Sequence, residues 1–148
     1  MSSILSLCLA LALTQPPGAS AVAPIAERGP EETARALLET LLARDLEALC
    51  QLTPTPFSFD GREARSREEV RRAWTRVLQR HTVAGRKLGT IELLTYDELV
   101  KRYGPSPERL QSLPLAGSQA AVADLGGRPT LILMKKRGSS WVMFAITD

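Results

Sequence analysis

The sequence predicts an α+β fold built as one domain, in which helices precede most of the strands. An amphipathic helix begins at Pro30, and a second helix begins beside Ser66. The carboxy-terminal third holds three strand-like runs separated by short glycine-containing turns. Strands joined by such turns pair antiparallel, so we expect an antiparallel sheet packed against the amino-terminal helices.

The first helix is marked by its opening residues and by a long apolar stripe. Pro30 suits the first helical turn, and Glu31 and Glu32 lie at the positive end of the helix dipole. The stripe has a 3.6-residue period, and its members are Ala34, Leu37, Leu38, Leu41, Leu42, Leu46 and Leu49. This pattern predicts a single helix that ends where the prolines at 54 and 56 begin.

The next unit is a short strand, a turn and a capped helix. Residues 57–59 alternate Phe-Ser-Phe, and an Asp-Gly turn follows at residues 60–61. Ser66 and Glu69 have the spacing of a capping box. The helix that it opens carries its apolar side chains on one face, at Val70, Ala73, Trp74, Val77 and Leu78.

The remaining elements are a strand at residues 88–94, a short helix and the three closing strands. Thr95 and Glu98 form a second capping box, and Gly104-Pro105 ends its helix. Residues 107–113 read as a further helical turn, and the closing strands are expected at residues 119–125, 130–136 and 141–147.

Residues 131–134 and 141–144 are apolar in succession, so both faces of the sheet are apolar there. One face takes the helices. The other face must meet a pocket, a further segment or a second subunit, and we expect a homodimer through it.

The first 21 residues have the layout of a secretory signal peptide. An apolar run at residues 4–13 is followed by the small residues Ala19, Ser20 and Ala21. No Lys or Arg precedes the run and Ala23 offers a second cleavage site, so an uncleaved anchor and a cytosolic chain stay open. We expect cleavage near Ala21 and export to a periplasm or the extracellular space. With cleavage there, we expect a linker at residues 22–29 and one domain at residues 30–148. We expect no stable membrane span in the mature protein.

The charge of the chain is mild but unevenly distributed. The net charge of +3 does not by itself predict nucleic acid as a partner, and none is expected. Nine basic residues occur within one segment: Arg62, Arg65, Arg67, Arg71, Arg72, Arg76, Arg80, Arg86 and Lys87. A solvated helix face is one interpretation, and binding of a polyanion or of the cell envelope is the other.

Cysteine content limits both disulfide and metal chemistry. Cleavage of the signal removes Cys8 and leaves Cys50 alone, so an intramolecular disulfide and a cysteine zinc cluster are both excluded in the mature chain. Cys50 follows the apolar stripe of the first helix and is expected to be a small buried hydrophobe.

The order of elements resembles the nuclear transport factor 2-like (SnoaL-like) superfamily. The resemblance is carried by residues 56–62, by residues 66–70 with Trp74, and by the closing run 141–148. It covers residues 30–148 and implies a curved antiparallel sheet that wraps around the helices like a cone. Residues 96–115 depart from the pattern because they add short helices near the cone's mouth. The superfamily contains isomerases, cyclases, dehydratases, epoxide hydrolases and many non-catalytic members, so the resemblance does not choose a function.

An enzyme on this scaffold needs an acid or base inside the cone. The catalytic candidates are Asp124, His81 and Tyr96. Asp124 alternates with Val122 along a strand, but it also adjoins a Gly-Gly turn. His81 lies at a helix end, where a capping role is the plainer interpretation.

The candidates for ligand contact are Trp74, Tyr103, Met134 and Trp141, each of which also has a simple interpretation as a packing residue. A single His and the absence of paired carboxylates at ligand spacing predict no metal site. No glycine-rich phosphate loop occurs, so we expect no cofactor.

The sequence therefore favours an exported, non-catalytic domain that binds a small apolar ligand or a protein partner. The first alternative is a small lyase, isomerase or hydrolase that acts in the cone. The second alternative is binding of a polyanion or the cell envelope through the segment Arg62–Lys87.

Overall fold

The computed structural model describes residues 28–80 and 85–148. Within these residues the helices are α1 (Pro30–Leu42), α2 (Leu46–Leu52), α3 (Arg67–Arg80) and α4 (Tyr96–Tyr103), and a 3-10 turn spans Glu108–Leu110. The strands are β1 (Phe57–Phe59), β2 (Arg62–Ala64), β3 (Leu88–Thr95), β4 (Gln119–Leu125), β5 (Pro129–Arg137) and β6 (Ser140–Thr147). The α+β class predicted from the sequence is confirmed.

The prediction of a single first helix from the apolar stripe is wrong, because α1 and α2 are separate helices. Arg44 adopts a left-handed φ of 56°, which ends the helical path. Asp45 then caps α2, and its carboxylate accepts a hydrogen bond from the amide of Ala48 at 3.0 Å. Leu46 and Leu49 still pack against the core, so the apolar stripe continues across the break.

Both predicted capping boxes are confirmed. The Ser66 hydroxyl accepts from the amide of Glu69 at 3.2 Å, and the Glu69 carboxylate accepts from the amides of Arg65 and Ser66. Thr95 and Glu98 make the same reciprocal pair at the start of α4. Helices α3 and α4 therefore begin where the sequence places them.

The sheet has the strand order β2-β1-β6-β5-β4-β3 and is mixed rather than antiparallel throughout. β1 runs parallel to β6, and Ser58 pairs with Ala145 and Phe59 with Ile146. The expectation of a wholly antiparallel sheet is wrong at this one junction. Parallel neighbours need a long connection, and the chain between β1 and β6 supplies it. The sheet is open, with β2 and β3 at its edges.

The main core lies between α1, α2 and α3 and one face of the sheet, which we call the inner face. Its fully buried side chains include those of Leu37, Leu38, Leu49, Ile132 and Met134. Alternate residues of β4, at 121, 123 and 125, face the same cluster because side chains alternate along a strand.

A second buried cluster covers part of the outer face of the sheet. It contains Leu115, Ala120, Leu133 and Ala145, and the following half-buried side chains pack against it: Tyr96, Leu99, Leu113 and Phe144. Residues 96–115 thus cover apolar strand residues that the sequence left without a partner. The sequence analysis expected a pocket, a further segment or a second subunit against this face. The structure shows a further segment of the same chain against this part of it.

Within residues 28–80 and 85–148, no helix has both the length and the apolar character needed to cross a membrane. The predicted signal peptide lies outside the described residues. The cone-like curvature implied by the superfamily resemblance stays a prediction.

Candidate functional site

A pocket of about 590 Å³ opens between α3 and the inner face of the sheet. Helix α3 contributes Arg72, Ala73, Arg76, Val77 and Arg80, which recur every three to four residues and so share one helical face. The opposite wall comes from the strands β1 and β6 and from the turn between β4 and β5. The volume is within the usual range for sites that enclose a small molecule.

The floor of the pocket is apolar and rigidly supported. Phe59, Val77 and Ile146 are half-buried and form the accessible floor. Trp74 lies directly beneath it with 0 % of its surface exposed. The Phe59 and Trp74 rings meet edge-on, with centroids 5.0 Å apart and planes at 86°.

A hydrogen bond fixes the orientation of the indole. Trp74 Nε1 donates to Thr53 Oγ1 at 2.9 Å, and the same hydroxyl donates to the carbonyl of Leu49 at 2.6 Å. Thr53 follows directly after α2, so the indole ties α3 to the end of α2. These two hydrogen bonds hold the indole beneath the floor in one orientation.

The rim of the pocket is strongly cationic. Six guanidinium side chains line it, at Arg62, Arg72, Arg76, Arg80, Arg86 and Arg128. Arg86 lies against the turn after β4. Its Cγ is so close to Gly126 that a Cβ atom at that glycine would lie 3.1 Å from it. The cationic rim is thus built from four separate parts of the chain around one apolar floor.

The carboxylates that line the pocket are mostly engaged elsewhere. Glu63 pairs with Arg65 at 2.7 Å, and Glu69 serves the cap of α3. Asp60 accepts hydrogen bonds from Thr147 Oγ1 and from Arg109 Nε, each at 2.7 Å. The Thr147 hydroxyl, followed by Arg109, holds the pKa of the Asp60 carboxyl below its ordinary value. Asp60 is therefore ionised at neutral pH and is a poor proton donor or acceptor.

The structure does not bring the catalytic candidates together in the pocket. Asp124 is exposed, and its carboxylate accepts from the amide of Gly127 at 2.6 Å, which stabilises the β4–β5 turn. The Tyr96 hydroxyl forms a 2.6 Å hydrogen bond with Ser106 Oγ and lines a separate, more open depression of about 450 Å³. His81 lies outside the described residues.

The four candidates for ligand contact have different positions. Trp74 supports the pocket floor as described above. Met134 is fully buried in the inner core, and Trp141 packs against the same core. Tyr103 is 62 % exposed, and the centroid of its ring lies 6.0 Å from the guanidinium carbon of Arg102. None of these last three side chains lines the pocket.

Most of the pocket residues carry no signal in the sequence that marks them as part of a site. The sequence pattern places Val77 on an apolar helix face and Phe59 in a strand. The cluster of basic residues between Arg62 and Lys87 is visible in the sequence, but its position around an apolar floor is not. Arg128 comes from a distant turn, so no spacing rule along the chain could have joined it to that cluster.

The described lining of the pocket consists of arginines, carboxylates, apolar side chains and two threonines. Its described lining contains no His, Cys, Tyr, Lys or Ser side chain. In the parts of the chain that the structure describes, no three His, Cys, Asp or Glu side chains cluster as metal ligands do. Cys50 is buried away from the pocket, and burial raises the pKa of its thiol.

Comparisons with family models, with curated proteins and with solved structures gave no match for this chain.

Proposed function

We propose that this chain is an exported, non-catalytic member of the nuclear transport factor 2-like superfamily that binds a small ligand in the pocket between α3 and the sheet. The observation that carries the proposal is the pocket itself, whose floor is apolar and rigidly supported. A ligand with an apolar body would remove Phe59, Val77 and Ile146 from water.

The superfamily assignment is supported by the element order and by the placement of α1, α2 and α3 on the inner face of the sheet. An experimental structure tests it, because the assignment requires the sheet to curve around those helices. A flat sheet would contradict the assignment without affecting the pocket.

Ligand binding is tested with the uncharged fluorescent probe N-phenyl-1-naphthylamine. We expect saturable binding to the wild-type protein and a loss of at least about tenfold in affinity in Val77→Glu, because the variant places a carboxylate on the apolar floor. Val142→Glu is the matched control, since Val142 is also half-buried but does not line the pocket.

Circular dichroism and thermal melting of all three proteins establish that they are folded before affinities are compared. Equal affinity in Val77→Glu and wild type would contradict binding at this pocket. Absence of saturable binding to the wild type would contradict the proposed function as a whole.

The other expectations from the sequence are tested separately. Mass spectrometry of exported material tests cleavage after Ala21, and a mature chain that still begins at Met1 would contradict it. Sedimentation velocity at micromolar concentration tests the homodimer. The prediction of a homodimer rested on the apolar outer face of the sheet, and residues 96–115 contact part of that face. Detection of a monomer alone would contradict the homodimer. The enzyme alternative has no grouping of an acid with a Tyr or His in the described pocket.

A further inference from the structure

Five of the six rim arginines have no carboxylate at ion-pair distance among the residues that the structure describes: Arg62, Arg76, Arg80, Arg86 and Arg128. The charge of Arg62 acts on the Asp60 carboxylate, which leaves Arg76, Arg80, Arg86 and Arg128 as four arginines for a ligand. Other arginines of the chain do have such a partner, namely Arg35, Arg65, Arg71, Arg72, Arg102 and Arg109. Of the six arginines that line the pocket, Arg72 alone has such a partner among the described residues, so the lining brings several unpaired guanidinium groups to one opening.

The four arginines reach the pocket from separate elements. Arg76 and Arg80 are one turn apart on α3, Arg86 precedes β3, and Arg128 lies in the β4–β5 turn. Like charges held around one opening repel each other and produce a positive potential inside it. A bound anion would relieve that repulsion, and guanidinium groups bind carboxylates and phosphates through paired hydrogen bonds.

The acids of the pocket do not neutralise these four side chains. Asp60, Glu63 and Glu69 accept hydrogen bonds from other groups, and no ion pair joins any of them to the four arginines. Asp148 is the remaining acid of the lining and is exposed. The positive charge at the mouth is thus available to a ligand.

The floor limits what that ligand can be. A small inorganic anion would leave Phe59, Val77 and Ile146 in water, and a neutral apolar molecule would leave the arginines without counter-charges. A polyanion would contact the rim and leave the floor empty. The pocket of about 590 Å³ fits one small molecule.

We propose that the ligand of this pocket is an anionic amphiphile, with an apolar chain or ring system on the floor and one carboxylate or phosphate head at Arg76, Arg80, Arg86 and Arg128. This proposal rests on the proposed function and names the chemical class of its ligand.

The test measures displacement of N-phenyl-1-naphthylamine by decanoate, decyl phosphate and 1-decanol, each below the concentration at which it aggregates. In wild type we expect the two anions to displace the probe at concentrations at least about tenfold lower than decanol. Added salt should weaken the anions and leave decanol unchanged, since salt screens charges at an open pocket mouth. The order of decanoate and decyl phosphate identifies the preferred head, and either order agrees with the proposal.

The decisive variant is Arg76→Gln/Arg128→Gln, which removes one cation from each wall. We expect its preference for anions over decanol to fall below about threefold. Lys136→Gln/Arg137→Gln is the matched control because it removes the same charge from a hairpin outside the pocket. The control should keep the wild-type preference.

Each contrary result has a distinct meaning. Equal displacement by decanol and decanoate in wild type would overturn the anionic head, while saturable probe binding would keep the proposed function. If the control loses the preference for anions over decanol to the same extent, that preference arises from overall charge. This result would overturn the assignment of the head to the four arginines. Displacement by heparin with no preference for the alkyl anions would overturn the proposal in favour of a polyanion surface. Absence of probe binding would contradict both proposals.

Discussion

Asp60 connects three parts of the chain through one carboxylate. It lies in the β1–β2 turn with a φ of 50°, and its oxygen accepts hydrogen bonds from Thr147 and Arg109. Arg109 also donates to the carbonyl of Asp148 at 3.3 Å. One side chain therefore joins the hairpin, the 3-10 turn and the end of β6 at the edge of the pocket.

Asp60→Asn should lower the free energy of unfolding at pH 7 by about 1 kcal/mol, because it replaces two charge-assisted hydrogen bonds at a partly exposed site with weaker ones. Asn tolerates the left-handed backbone, so the turn should persist. The folded-state pKa of Asp60 lies below its unfolded value of about 3.9. Its contribution is therefore complete above that value and is lost as the pH falls through the folded-state pKa.

Urea unfolding of wild type and Asp60→Asn between pH 7 and pH 3 measures this pH dependence. The difference in the free energy of unfolding between the two proteins should shrink as the pH falls toward 3. Thr147→Val should show the same pH signature, since the Thr147 hydroxyl is the largest cause of the lowered pKa. A difference that stays constant with pH would contradict the assignment of Asp60.

Elements with a local chemical signal could be predicted from the sequence. The starts of α3 and α4 follow from Ser66, Glu69, Thr95 and Glu98, whose side chains act within one helical turn. The break between α1 and α2 was missed because no glycine or proline marks it. Asp45, three residues before the amide that it caps, was the available signal.

Thr53→Val should destabilise the joint between α2 and α3 by about 1–3 kcal/mol, because it leaves the buried Trp74 N–H without an acceptor. Thr75→Val is the matched control. Thr75 Oγ1 donates only to the Arg71 carbonyl within α3, at an exposed position, so we expect a change within about 0.5 kcal/mol. Urea unfolding measures both, and equal effects would contradict a structural role for the indole hydrogen bond.

At the scale of the whole molecule, the prediction of class was confirmed and that of topology was partly wrong. The antiparallel meander of β4, β5 and β6 follows from short turns. The parallel β1–β6 pair depends on residues distant in sequence, and so does the joining of Arg128 to the arginines of α3. Periodicity reports which residues are apolar, but it does not report which distant elements meet.

The two-sided burial of the sheet makes a further prediction. Leu115 is 8 % exposed within the outer cluster, whereas Leu93 of β3 is 36 % exposed. Leu115→Ala should lower the free energy of unfolding by about 2 kcal/mol, and Leu93→Ala by less than about 1 kcal/mol. Urea unfolding followed by fluorescence and by circular dichroism measures both. An effect of Leu115→Ala no larger than that of Leu93→Ala would show that residues 96–115 are not part of the cooperative fold.

The parallel pairing of β1 with β6 also sets an order of events during synthesis. When residues 57–64 leave the ribosome they have only each other as strand partners, and an isolated two-stranded hairpin is marginally stable. The strand that completes their sheet is made last among the described elements. A growing chain therefore completes its native sheet only after residue 147 has been added, so β1 and β2 wait for their strand partner through the synthesis of all the elements between them.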